Sequence, residues 1–186
     1  MSKLFIPIIE GTTRPHRMSI HAARLIHQVA QDIEGVESIL VDPAEFNIPF
    51  DGNDQECKDP RYTEITARAD AFFIVTPEYN HSFPGSLKRL LDSELKNYLH
   101  KPVAFAGVSS GIWGGVRAIE QLVGAVREMG LVPTFTDVQF PNINSIFNEA
   151  GELQDPKYPA RIHRAYDELI WMTKTLKWGR ENLTGT

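Results

Sequence analysis

KLFIPIIEGTTRPHRMS, residues 3–19, decides the fold by its punctuation. A short apolar run (Leu4, Phe5, Ile6, Ile8, Ile9) enters Gly11, and a polar, basic turn (Thr12, Thr13, Arg14, His16, Arg17) delivers the chain to Ser19. Beyond Ser19, the apolar residues Ile26, Val29, Ala30 and Ile33 recur at helical spacing. A buried strand, a tight turn and a helix N-terminus in that order make a ready anion site, because orphan N–H groups and the helix dipole point into the turn. The chain carries a net charge of −5, yet this turn sets Arg14 and Arg17 beside His16. That local positive excess suggests a phosphate; the competing reading is an ordinary strand–helix connection with solvated arginines. The turn lacks the Gly-Lys-Ser/Thr ending of a triphosphate loop, and Gly11 stands alone where a dinucleotide fingerprint needs three glycines. It also lacks the cysteine nucleophile of a phosphatase loop. One phosphate, held by hydroxyls, amides and arginine, fits better than a pyrophosphate.

The 186 residues suit one domain, and we take the whole chain, 1–186, as that domain. Hydrophobic content of 42% and charged content of 23% are those of a globular protein rather than a disordered one. The acidic balance gives no electrostatic reason to expect nucleic acid. No apolar run approaches the roughly 20 residues that span a bilayer, and no basic-then-apolar leader opens the sequence, so no membrane partner and a cytoplasmic address are expected. The single cysteine, Cys57, excludes an internal disulfide and sits in a polar stretch, where it reads as an incidental thiol.

Outward from the opening stretch, Gly35 breaks the first helix and Val36–Val41 reads as a second strand. Residues 42–59 form a long loop rich in Pro, Asn, Asp and Gly, a length that is often functional. A short helix over residues 62–69 leads to AFFIVT (71–76), a run apolar enough for a strand covered on both faces. After PEYNHSFPGS, Pro84 opens a helix whose buried stripe is Leu87, Leu90, Leu91 and Leu95. PVAFAGV (102–108) is a fourth strand, SSGIWGG a glycine-rich loop, and Val116, Ile119, Val123 and Val126 mark a helix that stops at Gly130. Residues 132–140 read as a fifth strand, 141–159 as irregular, and Ile162, Tyr166, Leu169, Thr173 and Leu176 as the last helix. Strands alternating with helices imply a three-layer α/β domain on a five-stranded parallel sheet. Pro7 cannot donate to a ladder, so a bulge or a non-bonded edge position is expected there.

In such sheets, ligands bind beyond the carboxyl ends of the strands. Three loops follow strand ends: 11–17, basic; 77–81, polar and aromatic; and 109–115, glycine-rich with one tryptophan. Together they describe a site for a ligand with a phosphate end and a flat aromatic end.

Those three loops resemble motifs of the NAD(P)H-dependent FMN reductases, the flavodoxin-like group that includes bacterial quinone, azo-dye and chromate reductases. GTTRPHRMS (11–19) is similar to the family's Gly-Ser/Thr-x-Arg…Ser phosphate loop, TPEYNHSFPGSLKRLLD (76–92) to its Pro-Glu-Tyr-Asn segment and helix, and SSGIWGGVRA (109–118) to its far glycine-rich loop. The resemblance spans residues 3–138 and implies a flavodoxin-like three-layer sandwich. It implies that Thr12, Arg14 and Ser19 bind the FMN phosphate. Pro77, Glu78, Tyr79 and Asn80 would line the isoalloxazine, and Ser110, Gly111 and Gly114 would cover its other edge. Arg17 is an added phosphate or cofactor contact suggested by charge. Glu10 before the loop glycine, Ile112-Trp113 in the third loop and an extended C-terminal end depart from the pattern.

The resemblance further implies FMN as cofactor, NADPH or NADH as substrate, and two electrons passed in alternating steps to a small-molecule acceptor (a quinone, an azo compound or free flavin). The family's members are generally dimers or tetramers, and residues 42–59, Phe83 and Trp113 are plausible interface material. We single out no catalytic side chain and no metal ligand; His81 reads as an ordinary loop histidine. A flavodoxin-like electron carrier, or a flavin-bound redox sensor, is the competing function. Carriers of that kind are typically more acidic than −5.

Overall fold

A computed structural model describes residues 3–183. The first strand is broken in two by Pro7, into β1 (Leu4–Phe5) and β2 (Ile8–Glu10). Leu4, Ile6 and Ile8 donate to the carbonyls of Gly35, Glu37 and Ile39, so the ladder on that side runs through. On the other side Pro7 has no N–H to give, but its carbonyl accepts from Phe73 at 3.1 Å. Pro7 therefore sits inside the sheet, neither bulged to an edge nor unpaired: one lost donor is the whole cost. The partner strand splits in register, into β3 (Val36–Glu37) and β4 (Leu40–Val41), where one continuous strand was expected.

α1 (Ser19–Gln31) lies between these strands in the chain, and α2 (Pro60–Arg68) leads to β5 (Phe72–Pro77). Asp59 caps α2, its carboxylate accepting from Arg61 N–H at 3.0 Å with Pro60 at the first helical position. α3 (Gly85–Asp92) precedes β6 (Pro102–Val108), and α4 (Val116–Glu128) follows it. The fifth strand, expected over 132–140, is also two pieces, β7 (Val132–Pro133) and β8 (Val138–Phe140), both paired to β6. Between them the chain leaves the ladder, and the N–H groups of Phe135 and Thr136 go to the Glu168 carboxylate at 2.6 and 2.9 Å. The segment expected to be irregular holds a helical turn, α5 (Ile143–Ile146), and α6 (Tyr158–Asn182) closes the described chain. The 42–59 loop likewise contains two 3-10 turns, Pro43–Glu45 and Gln55–Cys57.

Taking the split pairs as single lines, the sheet runs 2-1-3-4-5 and every pairing is parallel. β5 and β6 are buried along their whole length, as their unbroken apolar runs require. Alternation along β5 feeds two cores. Phe73 and Val75 pack with α1 and α6; Phe72 and Ile74 pack with Tyr62 of α2, Leu87 and Leu90 of α3, and Ile119 and Leu122 of α4. Leu95, expected in the α3 stripe, lies beyond the helix and is exposed, and Cys57 is buried despite its polar sequence neighbours. This order puts the switch between β1/β2 and β5 at the sheet's centre, with the 11–17 and 77–81 loops side by side above it.

Candidate functional site

Gly11 is dictated by closeness, since a Cβ there would meet the Val75 carbonyl oxygen at 2.6 Å and Thr76 Cα at 2.9 Å. The first loop therefore starts pressed against β5, and it ends at α1, whose N-terminus no side chain caps among the described residues. The opening amides of α1 are left to whatever sits in the loop. Thr12 is buried; its Oγ1 accepts from Arg14 N–H at 3.2 Å and lies 3.2 Å from the Tyr79 hydroxyl. That contact joins the first loop to the second. The Arg14 guanidinium is exposed and stands 6.0 Å from the Tyr79 ring centroid.

Two of the expected phosphate ligands are already engaged. Ser19 Oγ donates to Glu10 Oε1 at 2.6 Å, inside the protein. Arg17 turns inward to pair with Asp42, and its Nε lies 3.5 Å from Glu10 Oε1. Glu10 is fully buried at the end of β2, and its Oε2 has no partner among the described residues. Burial pushes this carboxyl up to about 7, against the lowering effect of the Ser19 hydrogen bond and Arg17; nearby Asp42 adds to the rise.

The second loop leaves β5 at Pro77. Tyr79 and Ser82 exchange backbone hydrogen bonds at 2.8 and 3.0 Å, with Asn80 and His81 at the tip in left-handed conformation. Glu78 Oε1 pairs with Arg117 at 2.5 Å, and Arg117 also reaches His81 Nε2 at 2.8 Å while its guanidinium lies 5.5 Å from the Trp113 ring centroid. Arg117, on the first turn of α4, thus ties the second loop to the third. Ser109 shapes the third loop, its Oγ accepting Gly114 N–H at 2.9 Å and donating to the Gly111 carbonyl at 2.8 Å. Gly114 needs to be glycine: its φ is +60°, and a Cβ would lie 2.8 Å from Gln139 Cβ. Ser110 and Gly111 are exposed at the rim.

The three loops enclose one cavity of about 360 Å³, lined by Arg14, Arg17 and Ser19 from the first loop, Pro77, Glu78 and Tyr79 from the second, and Ser109 and Ser110 from the third. Ile143 and Asn144 of α5 complete the wall, held by Asn142 N–H to the Gly111 carbonyl at 2.9 Å and Ile143 N–H to the Ser109 carbonyl at 3.1 Å. Of the expected site residues, Thr12, Asn80, Gly111 and Gly114 are not in its lining. A larger cavity, about 740 Å³, lies between the 42–59 loop and α3 and meets the first loop only at Thr13. The smaller one is the candidate site, because it gathers convergent donors at a strand-end crevice. Sequence reading missed Arg117, Asp42 and the α5 wall. Arg117 stood within the quoted third motif, whereas nothing in the sequence placed α5 near the loops.

A crevice lined by arginines of the first loop and by the loops after β5 and β6, above the switch point of a 2-1-3-4-5 parallel sheet, defines a flavodoxin-like mononucleotide-binding protein. The profile of the family described as NADPH-dependent FMN reductase matches residues 6–144, and the chain belongs to that family of oxidoreductases. A quinone reductase of Pseudomonas putida is 27% identical over 175 residues, covering 86% of this chain and 90% of its own. A quinone reductase of Escherichia coli is 34% identical over 125 residues, covering 62% of this chain and 65% of its own. Among solved structures, FerB, a flavoenzyme NAD(P)H:(acceptor) oxidoreductase from Paracoccus denitrificans, matches with a TM-score of 0.73 at 19% identity, covering 92% of this chain and 98% of that one. A flavodoxin from the domain Archaea matches with a TM-score of 0.58 at 12% identity, covering 94% and 99%, a likeness of fold. No helix among the described residues is long and apolar enough to cross a membrane, and no cluster there could hold a metal ion.

Proposed function

We propose that this chain is an FMN-dependent oxidoreductase that takes reducing equivalents from NAD(P)H and passes two electrons to a small-molecule acceptor such as a quinone, an azo compound or free flavin. The observation that carries the reading is the single cavity shared by the three loops, with Arg14 and Arg17 in its lining beside Pro77, Glu78 and Tyr79. The donors fit FMN at its phosphate end: α1 amides, the Thr12 loop and Arg14. The Pro77–Tyr79 segment, whose Glu78 and Tyr79 N–H groups are already given to the Val108 and Ser82 carbonyls, and the Ser109–Gly114 loop would flank a flat ring by packing. Bound there, FMN would supply the two-electron chemistry. The chain's own residues position and shield. Tyr79 is held by Thr12, and the Glu78–Arg117 pair fixes the spacing of the two loops that flank the ring. Pro77 and Val108 contribute apolar surface to the lining. The relatives named quinone reductase and NADPH azoreductase support the choice of acceptor class.

Donor and acceptor would use one open ring face in turn, so rates with NAD(P)H and a quinone should give parallel double-reciprocal lines. Stopped-flow mixing of the yellow holoprotein with NADPH or NADH decides the matter. Bleaching within seconds is expected; colour that persists for minutes under both would refute the reductase reading and leave an electron carrier.

Self-association belongs to the same reading. Ile112 and Trp113 (72% and 58% exposed) leave apolar rim on the third loop and Phe50 is exposed on the 42–59 loop, whereas Phe83 packs half-buried against the core and contributes less. Light scattering should give a dimer or tetramer; a mass near 21.0 kDa at micromolar concentration would rule it out. The proposed address is the cytoplasm.

A further inference from the structure

We propose that Glu10 is a specificity-determining positioning residue for the flavin phosphate: the loop accepts a phosphate monoester together with a proton, and that proton resides on Glu10. The inference rests on the reading that residues 11–19 hold the FMN phosphate. Its ground is a conflict of hydrogen bonds. Ser19 has one hydroxyl proton, and here it is given to Glu10 Oε1 at 2.6 Å. While Glu10 is ionised it keeps that proton, draws Arg17 Nε to 3.5 Å and sets a buried negative charge beneath an incoming dianion. A neutral Glu10 reverses the bond. Its O–H donates to Ser19 Oγ, the Ser19 O–H is free to turn to the phosphate, and the charge beneath the loop is gone.

The surroundings leave Glu10 little alternative. Arg17 on the loop is already paired with Asp42, which follows β4; Ser19 is the neighbour from α1; and β5 offers only the uncharged Val75 at the paired position. Glu10 Oε2 has no partner among the described residues. Burial holds the carboxyl near 7, so ligand binding needs to raise it only modestly to complete the proton's capture.

The test is calorimetric titration of the apoprotein with FMN and with riboflavin at about pH 8, in two buffers of different ionisation heat. At that pH the phosphate is already a dianion, so proton uptake reports on the protein. We expect a substantial fraction of a proton taken up per FMN. FMN affinity should fall by up to about tenfold per pH unit above neutrality, and riboflavin should bind more weakly with no uptake. Glu10→Gln should abolish the uptake and flatten the pH dependence in that range. FMN binding without proton uptake by the wild-type protein overturns the proposal with no variant required, as does uptake that persists in Glu10→Gln. Equal affinities for FMN and riboflavin would instead remove the phosphate from the loop, and the reading of the site with it.

Discussion

Replacing Glu10 by Gln should make the ligand-free protein more stable, and the gain should grow with pH. In an unfolded chain this carboxyl titrates at its ordinary value of 4.5; burial behind β2 raises it to about 7. Between those values the folded protein holds a proton that the unfolded chain has lost. The sign follows: stability tied to Glu10 is fully present below about 4.5 and is lost as pH rises through about 7. At about 1.36 kcal/mol per pH unit, the full penalty for burying the ionised form is about 3 kcal/mol. Roughly three-quarters of it is incurred between about pH 5 and about pH 8. Gln keeps the shape and a donor toward Ser19 but never ionises. The melting temperature of Glu10→Gln minus that of the wild type should therefore increase by about 6 °C between those pH values, for a chain of this length. Other groups titrate in the same window: Asp137, raised to about 6 by burial and by Glu120 and Glu168, and Lys101, lowered to about 8 by burial and Arg180. They are common to both proteins, so their effects cancel in the difference. Paired calorimetric melts of the two apoproteins are the assay. A difference that stays constant across the range would mean that Glu10 does not titrate there, and the buried-carboxyl reasoning would be wrong.

Replacing Arg14 by Ala removes a charge-assisted contact worth about 1.5–3 kcal/mol, hence a loss of about 10–150-fold in FMN affinity with the fold intact; an unchanged flavin titration would move the phosphate elsewhere. Arg117→Ala should cost about 1–3 kcal/mol in a melt by stranding Glu78, whose side chain is 6% exposed, while Arg117 itself is 38% exposed. Arg117→Lys should restore the charge but not the simultaneous hold on Glu78 and His81, and so recover only part of that stability.

The fold was legible because its strands declare themselves. AFFIVT and PVAFAGV are unbroken apolar runs, and only a sheet covered on both faces buries such runs, which is where β5 and β6 lie. The three loops were legible because parallel strands put their carboxyl ends on one edge. What the sequence concealed depends on pairing at a distance. β7 and β8 separate because Glu168, on α6, takes the N–H groups of Phe135 and Thr136, a competition with no local signal. Leu95 fitted the α3 spacing, yet the helix ends at Asp92 and the stripe ends with it. Pro7 was rightly suspected and wrongly placed, because one missing donor in a central strand is tolerated when the carbonyl and both flanking donors are used.

The loop's charge shows the same limit with a functional consequence. Counted along the sequence, 11–19 is rich in cations, and that excess pointed to phosphate. Counted in space, Arg17 is matched by Asp42, which lies 25 residues away, and Ser19 is bound to Glu10. Arg14 and the uncapped start of α1 are what remain to attract an anion, with one buried carboxyl opposing them. With a phosphate held there as proposed, the balance beneath it would be decided by a single proton. A loop built this way would hold its ligand tightly on the acidic side of neutrality and loosely above it. A neutral residue at position 10 would remove that dependence, so the glutamate would be the residue that makes the site's grip a function of pH.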